Sequence, residues 1–148
     1  MLRDKDIREP LFDFLEETYG KIRIIEEKTM GKSRADLVMV APDALYGIEI
    51  KSDADTYARL ARQVEDYDRY YDFNIVVVGT SHGMHIHEHV PDYWGIITVE
   101  PAEGELDFYF LRRPLELMMQ QAEKRQNFKK TGRRKKARSR KAGFSHGL

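Results

Sequence analysis

The amino-acid sequence predicts a mixed α/β (α+β) domain in the order helix, three-strand meander, helix, strand, with a basic stretch at its C-terminal end. Three observations carry this expectation. Two segments space their apolar residues as helices do. Short apolar runs bounded by turn residues lie between and after them. The apolar pattern then stops near residue 126, which divides the chain into a domain at 1–126 and a basic tail at 127–148. A chain of 148 residues is long enough for one real core.

Residues 5–18 read as the first helix, with Ile7, Leu11, Phe14 and Leu15 on one stripe and Gly20 at the exit. Proline is tolerated only in a first turn, so Pro10 points to a start near Arg8 or Glu9. Glu9 would then be a solvated first-turn glutamate that favours the helix dipole. Residues 22–29 form the first strand and Arg34–Ala41 the second, with a turn at Met30–Ser33. Pro42-Asp43 leads into the third strand, Leu45–Lys51. Links this short make antiparallel neighbours. Ile48 and Ile50 face one side of the third strand, while Gly47, Glu49 and Lys51 face the other. Asp36 opens the second strand and Glu49 and Lys51 close the third, so all three meet at one end of the hairpin. Charges on central strands have to be paired, hydrated or given a metal.

Ser52–Asp55 is expected to cap the second helix, which runs from Thr56 to about Tyr71 with Tyr57, Leu60, Val64, Tyr67 and Tyr71 inward. Gln63 and Tyr67 lie four apart on one side. Tyr67 reads as core, whereas Gln63 could reach a phosphate or a water. Asn74–Gly79 is a buried strand, parallel to the third because a whole helix intervenes. The core order is therefore αβββαβ. His82, His85, His87 and His89 follow. The His85/His89 pair has zinc-like spacing but no third ligand, and a short helix ending at Pro91 is the plainer account. Tyr93–Val99 is a further strand, with aromatics that seal a core. Residues 101–105 make a hairpin loop and Leu106–Leu111 an edge strand. Pro114 opens a last helix through about Ala122.

Composition narrows the function classes. Without cysteine there is neither a disulfide framework nor a thiolate metal site. No apolar run is long enough to cross a bilayer, and the N-terminus lacks a signal-peptide core, so a soluble cytoplasmic protein is expected and no membrane partner. The net charge of zero hides a segregation. Residues 124–148 hold 11 Lys/Arg and no Asp/Glu, leaving 14 basic against 25 acidic residues over 1–123, a net of −11. A basic tail on an acidic body suits a polyanion, with nucleic acid first. Lys129, Lys130, Arg133, Arg134, Lys135 and Lys136 would make sequence-independent phosphate contacts, and the tail is expected to be disordered when free. A solubilising tail, or one paired with the acidic body of its own chain, is the competing reading.

Asp36, twelve residues, then Glu49-Ile50-Lys51 resembles the signature of the PD-(D/E)XK nuclease superfamily, with Ala35 in place of the proline. The Gln63/Tyr67 pair resembles the helix motif of its RecB-like branch. The resemblance covers residues 5–100. It also looks close to a small, little-characterised bacterial and phage family within that superfamily, over Glu49–Asp55 and Pro91–Ile97. It implies a restriction-endonuclease-like fold and a Mg²⁺-dependent endo- or exodeoxyribonuclease, with Mn²⁺ as substitute. Asp36, Glu49 and the Ile50 carbonyl would hold the metal, a set suited to a hard cation that keeps its waters. Lys51 would act on the attacking water or on transition-state charge. Gln63 and Glu9 would support them, and Arg34 and Ser52 would touch nucleic acid. No base-reading insert is visible, so the expected cleavage is structure-directed or nonspecific. RNA as substrate, a homodimer and a protein partner stay open. The alternatives are a nuclease-fold DNA-binding module without catalysis, or a nuclease activated only by a partner protein.

Overall fold

A computed structural model describes residues 2–53, 55–80 and 85–115 of the chain. The elements are α1 (Asp4–Tyr19), β1 (Arg23–Met30), β2 (Ser33–Val40), β3 (Leu45–Lys51), α2 (Leu60–Tyr70), β4 (Phe73–Gly79), one 3₁₀ turn (Ile86–Glu88), β5 (Gly95–Ala102) and β6 (Glu105–Arg112). All six strands form one sheet in sequence order. β1, β2 and β3 run as an antiparallel meander, and β4 lies parallel to β3 across the α2 crossover. β5 is parallel to β4, and β6 returns antiparallel. The expected αβββαβ core is present, in an α+β domain with a mixed sheet. Among the described residues, no helix is long and apolar enough to cross a membrane.

The central strands are covered on both faces, which is why their sequences are nearly continuous apolar runs. Ile48, Ile50, Ile75 and Val77 pack against Ile7, Leu11 and Leu15 of α1. Val76 and Val78 face the other way, towards Leu60, Tyr67 and Trp94. Gly47 is what allows α2 to lie so close. A Cβ there would come within 2.5 Å of Tyr67, Tyr71 and Asn74. At the outer edge, Leu106, Phe108 and Phe110 of β6 turn in towards α1, where Phe14 lies 5.4 Å from the ring of Phe108.

Several boundaries differ from expectation, each for a local reason. α1 starts at Asp4 and keeps Pro10 inside it. The Asp6 carboxylate accepts the Arg3 N–H at 3.0 Å and fixes the start there. An interior proline costs about 3 kcal/mol. Burying Ile7, Leu11 and Leu15 contributes about 1.5–3 kcal/mol each and outweighs it. α2 begins at Leu60 rather than Thr56. Asp55 is no helix cap, because its carboxylate closes a turn back onto Ser52, accepting from the N–H at 2.8 Å and from Oγ at 3.1 Å. The β5–β6 connection is tighter than a five-residue loop. It is a two-residue turn with Glu103 (φ 49) and Gly104 (φ 83) both in the left-handed region, as hairpin twist requires. The helix expected before Pro91 is a single 3₁₀ turn over Ile86–Glu88. His82, the expected last helix beyond Leu115 and the basic tail lie outside the described residues.

Candidate metal centre

The centre forms where the β2–β3 hairpin parts. Leu37 is the last residue of β2 paired to β3, opposite Ile48, so Asp36 and Glu49 stand across from each other just beyond the ladder. There the Asp36 carboxylate takes the Ile50 N–H at 2.8 Å, in place of the next ladder bond. In extended backbone the N–H and C=O of one residue point to the same side, so the Ile50 carbonyl faces Asp36 as well.

Glu49 and Lys51 are 4% and 5% exposed, a burial that charged side chains tolerate only when partnered. Their partners form a closed ring. Lys51 Nζ lies 3.3 Å from Glu49 Oε2 and donates to Gln63 Oε1 at 3.1 Å, while Gln63 Nε2 donates to Glu49 Oε2 at 3.1 Å. Only one orientation of the Gln63 amide serves an ammonium and a carboxylate together, so the two charges set it. The Tyr67 hydroxyl accepts the Asp36 N–H at 3.2 Å. Its proton is shared between Glu49 Oε1 at 2.5 Å and the Ile48 carbonyl at 3.0 Å. Burial, then the charges of Glu49 and Asp36, push the Tyr67 pKa well up, so it remains a donor at any working pH. Tyr67 is therefore both core and part of the centre, not core alone.

Asp36 is the unsettled member. Burial is the largest influence on its carboxyl and the facing Glu49 charge the next, and together they push it up to about 8. The Ile50 N–H and the Arg8 guanidinium pull the other way, and Asp4 adds to the rise. Arg8 lies 3.5 Å from Asp36 Oδ1 and is also paired with Asp4, with Glu26 at 3.1 Å and with Glu27 at 2.6 Å. Its own pKa is raised, chiefly by the hydrogen bond to Asp4. Glu27 stands opposite Asp36 in β1, between the pairs Glu26–Leu37 and Lys28–Ala35, with a left-handed φ of 54. A non-glycine residue held there costs on the order of 1 kcal/mol. Its bonds to Arg8 and to Arg34 (3.0 Å) hold it.

These side chains floor a cleft of about 580 Å³ whose mouth carries Lys32 and Arg34 on one side and Arg59 and Arg62 on the other. Asp36, Glu49, Ile50, Lys51 and Gln63 are thus brought together, with Arg34 at the entrance. Glu9 is not among them. It is exposed on the far side of α1, and the helix presents Asp4 and Arg8, four apart, to the centre. A helix turns about 100° per residue, so with Arg8 against Asp36 its neighbour Glu9 is directed away from the centre. Ser52 is buried, its hydroxyl donates to Asp55, and it does not line the cleft. Asp4, Arg8, Lys32, Arg59 and Arg62 escaped the sequence reading. Two signals were available, the i,i+4 spacing of Asp4 and Arg8 and the adjacency of Arg62 to Gln63.

Among the described residues no three His, Asp or Glu side chains are grouped to hold a metal. The centre offers two carboxylates and a backbone carbonyl, all hard oxygens. That set fits a cation completing its shell with water, and the cost that burial and the Glu49 charge place on ionised Asp36 is what a cation would relieve. His85 and His89 flank the 3₁₀ turn, where the His89 ring packs on Tyr57 at 4.1 Å between centroids.

The model of the family described as Bacteriophage P4 protein cII matches residues 1–140. The chain belongs to that family. The family pattern thus takes in both the sheet and most of the basic stretch. No curated protein matches. Among solved structures, the SPO1766 protein of unknown function from Silicibacter pomeroyi is similar over 100% of this chain and 97% of its own, with a TM-score of 0.58 at 19% identity, which is a likeness of fold. SfsA of Pyrococcus furiosus, solved in complex with Ca²⁺, covers 73% of this chain and 61% of its own, with a TM-score of 0.44 at 17% identity.

Proposed function

We propose that this chain is a metal-dependent nuclease of the PD-(D/E)XK type that hydrolyses phosphodiester bonds in DNA, structure-directed or nonspecific. One observation carries the reading. Asp36 and Glu49 face each other beyond the hairpin ladder, with Lys51 locked between Glu49 and Gln63, beneath a mouth of four cationic side chains. An acidic floor suits a divalent cation and a basic rim suits the flanking phosphates. Asp36, Glu49 and the Ile50 carbonyl would hold Mg²⁺, or Mn²⁺ in its place. When bound, the ion supplies Lewis-acid stabilisation of phosphoryl charge and a lower pKa for the attacking water.

The remaining roles fall to this chain's own groups. Tyr67 and Gln63 fix both oxygens of Glu49, so little reorganisation is needed when substrate arrives. The Lys51 ammonium, on leaving its bond to Gln63, would donate to a non-bridging phosphoryl oxygen or exchange a proton with the attacking water. Lys32, Arg34, Arg59 and Arg62 would take the phosphates either side of the scissile bond, and the basic tail at 127–148 would add sequence-independent contacts, including those of Lys129 to Lys136.

The test is cleavage of single-stranded, duplex, flapped and four-way DNA in Mg²⁺ or Mn²⁺, with Glu49→Ala and Lys51→Ala beside the wild type. Cleavage by the wild type that disappears in both variants is expected. A DNA-binding module without hydrolysis is the second reading, favoured by the full engagement of Lys51 in the resting ring. That reading wins if the wild type binds DNA, cleaves none of these substrates in either metal, and gains no melting temperature from Mn²⁺.

A further inference from the structure

A second depression, larger than the cleft, lies on the other flank of α1. It is a groove of about 1030 Å³ between that helix and the β5–β6 hairpin. Its floor is apolar, made in part by the half-buried Phe14, Leu106 and Phe108. Its walls carry six carboxylates, Asp6, Asp13 and Glu17 from α1 and Glu103, Glu105 and Asp107 from the hairpin, with no Lys, Arg or His in the lining. Among the described residues only Asp6 of these has an ion pair, with Arg3 at 3.7 Å. Glu103 is moreover held at a left-handed φ of 49, at a turn position that asparagine or glycine occupies without strain.

We propose that this groove docks the chain's own basic segment, residues 129–141. Charge complementarity is the first reason. The segment has nine Lys/Arg and no Asp/Glu, and six carboxylates clustered on one concave surface are its natural counterpart within the chain. The floor is the second reason. Long lysine and arginine stems lie along apolar surface while their heads reach carboxylates on the rim, so an apolar groove with an acidic wall fits them better than a flat acidic face. Reach is the third. Leu115, whose N–H is bonded to the Tyr93 carbonyl at 2.9 Å, is 14 residues before Lys129. Fourteen residues reach at most about 45 Å when fully extended, and about 35 Å with the expected helix through Ala122 kept, against a domain radius of gyration of about 13 Å. Docking and phosphate contact use the same side chains, so they exclude each other. The groove would hold the segment until a stronger polyanion takes it. The docking itself does not depend on the cleft being a nuclease.

Zero-length carbodiimide cross-linking of the full-length protein, mapped by mass spectrometry, tests this without DNA or metal. Cross-links from the lysines of 129–141 should concentrate on Glu17, Glu103, Glu105 and Asp107. Their yield should not change with protein concentration, and it should fall by roughly fivefold or more as salt rises from about 0.05 to 1 M. A triple variant, Glu17→Gln, Glu105→Gln and Asp107→Asn, should lose the remaining links to Glu103 to a similar degree while melting as the wild type does. Three results would overturn the proposal. The first is links scattered over exposed acids such as Glu9, Glu16 and Glu65 in proportion to their accessibility. The second is links gathered on Asp55 at the cleft. The third is a yield that rises with protein concentration, which would assign the segment to a second copy. The salt series on the wild type decides the matter even if the triple variant fails to fold.

Discussion

One helix separates two depressions of opposite character. On one flank of α1, Asp4 and Arg8 meet an acidic floor under a basic rim. On the other, Asp6, Asp13 and Glu17 meet an acidic hairpin with no cation in reach among the lining residues. A glutamate with left-handed backbone lies beside the cleft and another lines the groove, but the two are held differently. Glu27 at the cleft is gripped by Arg8 and Arg34, whereas Glu103 at the groove sits in a turn with no ion pair among the described residues. The contrast shows what the same residue type does in two settings. In the cleft every carboxylate of the floor has a cationic or hydrogen-bonding neighbour in the chain, and the proposed metal would join Asp36 and Glu49 there. In the groove they are left to face something larger and cationic.

The comparison breaks most sharply at Lys51. Lys51→Ala should reduce cleavage by about 10²- to 10⁴-fold, as loss of a general acid–base or charge-stabilising group does, and DNA affinity measured in Ca²⁺ should hardly move. Should affinity fall in parallel with rate, Lys51 belongs to the rim and not to the chemistry. Removing Arg59 and Arg62 together should act the other way. We expect binding weakened by about tenfold, a salt slope shallower by about two, and a much smaller effect on the rate at saturation. An unchanged salt slope would remove the α2 side of the cleft from the phosphate path.

A pH series separates the two depressions by stability. In the folded, metal-free protein Asp36 holds its proton more tightly than in the unfolded chain, because burial and Glu49 raise its pKa to about 8. Its contribution is therefore fully present below about pH 4 and is lost as pH rises towards 8. The melting temperature of the metal-free protein should decline over that window, and Asp36→Asn should flatten the decline. Saturating Mn²⁺ should flatten it as well, by binding the ionised form. A decline that survives Asp36→Asn would place its origin elsewhere. The smallest effects concern the two glutamates. Glu103→Asn makes the Asn-Gly pair that a two-residue hairpin favours and should stabilise by about 0.5 kcal/mol in urea melts. Glu27→Asn relieves the same backbone strain but gives up the bonds to Arg8 and Arg34, so it should destabilise. Equal signs in the two would mean that the grip on Glu27 carries little energy.

Much of the centre was legible in the sequence because it is local. Asp36, Glu49 and Lys51 lie on one tight hairpin, and period-two alternation places Glu49 and Lys51 on the face opposite Ile48 and Ile50. Gln63 came from the resemblance of the Gln63/Tyr67 pair to the RecB-like helix motif, and helical spacing put the two on one side. The α1 contribution was misread, since Pro10 argued for a late start that the capping of Asp6 and the burial of Ile7 overrode. Ser52 and Asp55 were read as a helix cap, and each satisfies the other instead.

By itself, then, the sequence determined the element order, the β1–β3 meander, the parallel β3–β4 pairing, the hairpin trio and the segregation of charge, because these depend on periodicity, turn length and composition, whereas the parallel β4–β5 pairing was left to the fold. Tertiary structure alone decided that Arg8 would sit against Asp36 and that Tyr67 would serve Glu49. It also decided that six carboxylates from α1 and a hairpin more than 80 residues away would share one groove. Those are contacts between elements far apart in the chain. They are set by how helices lie on a sheet, and no spacing within a single element encodes them.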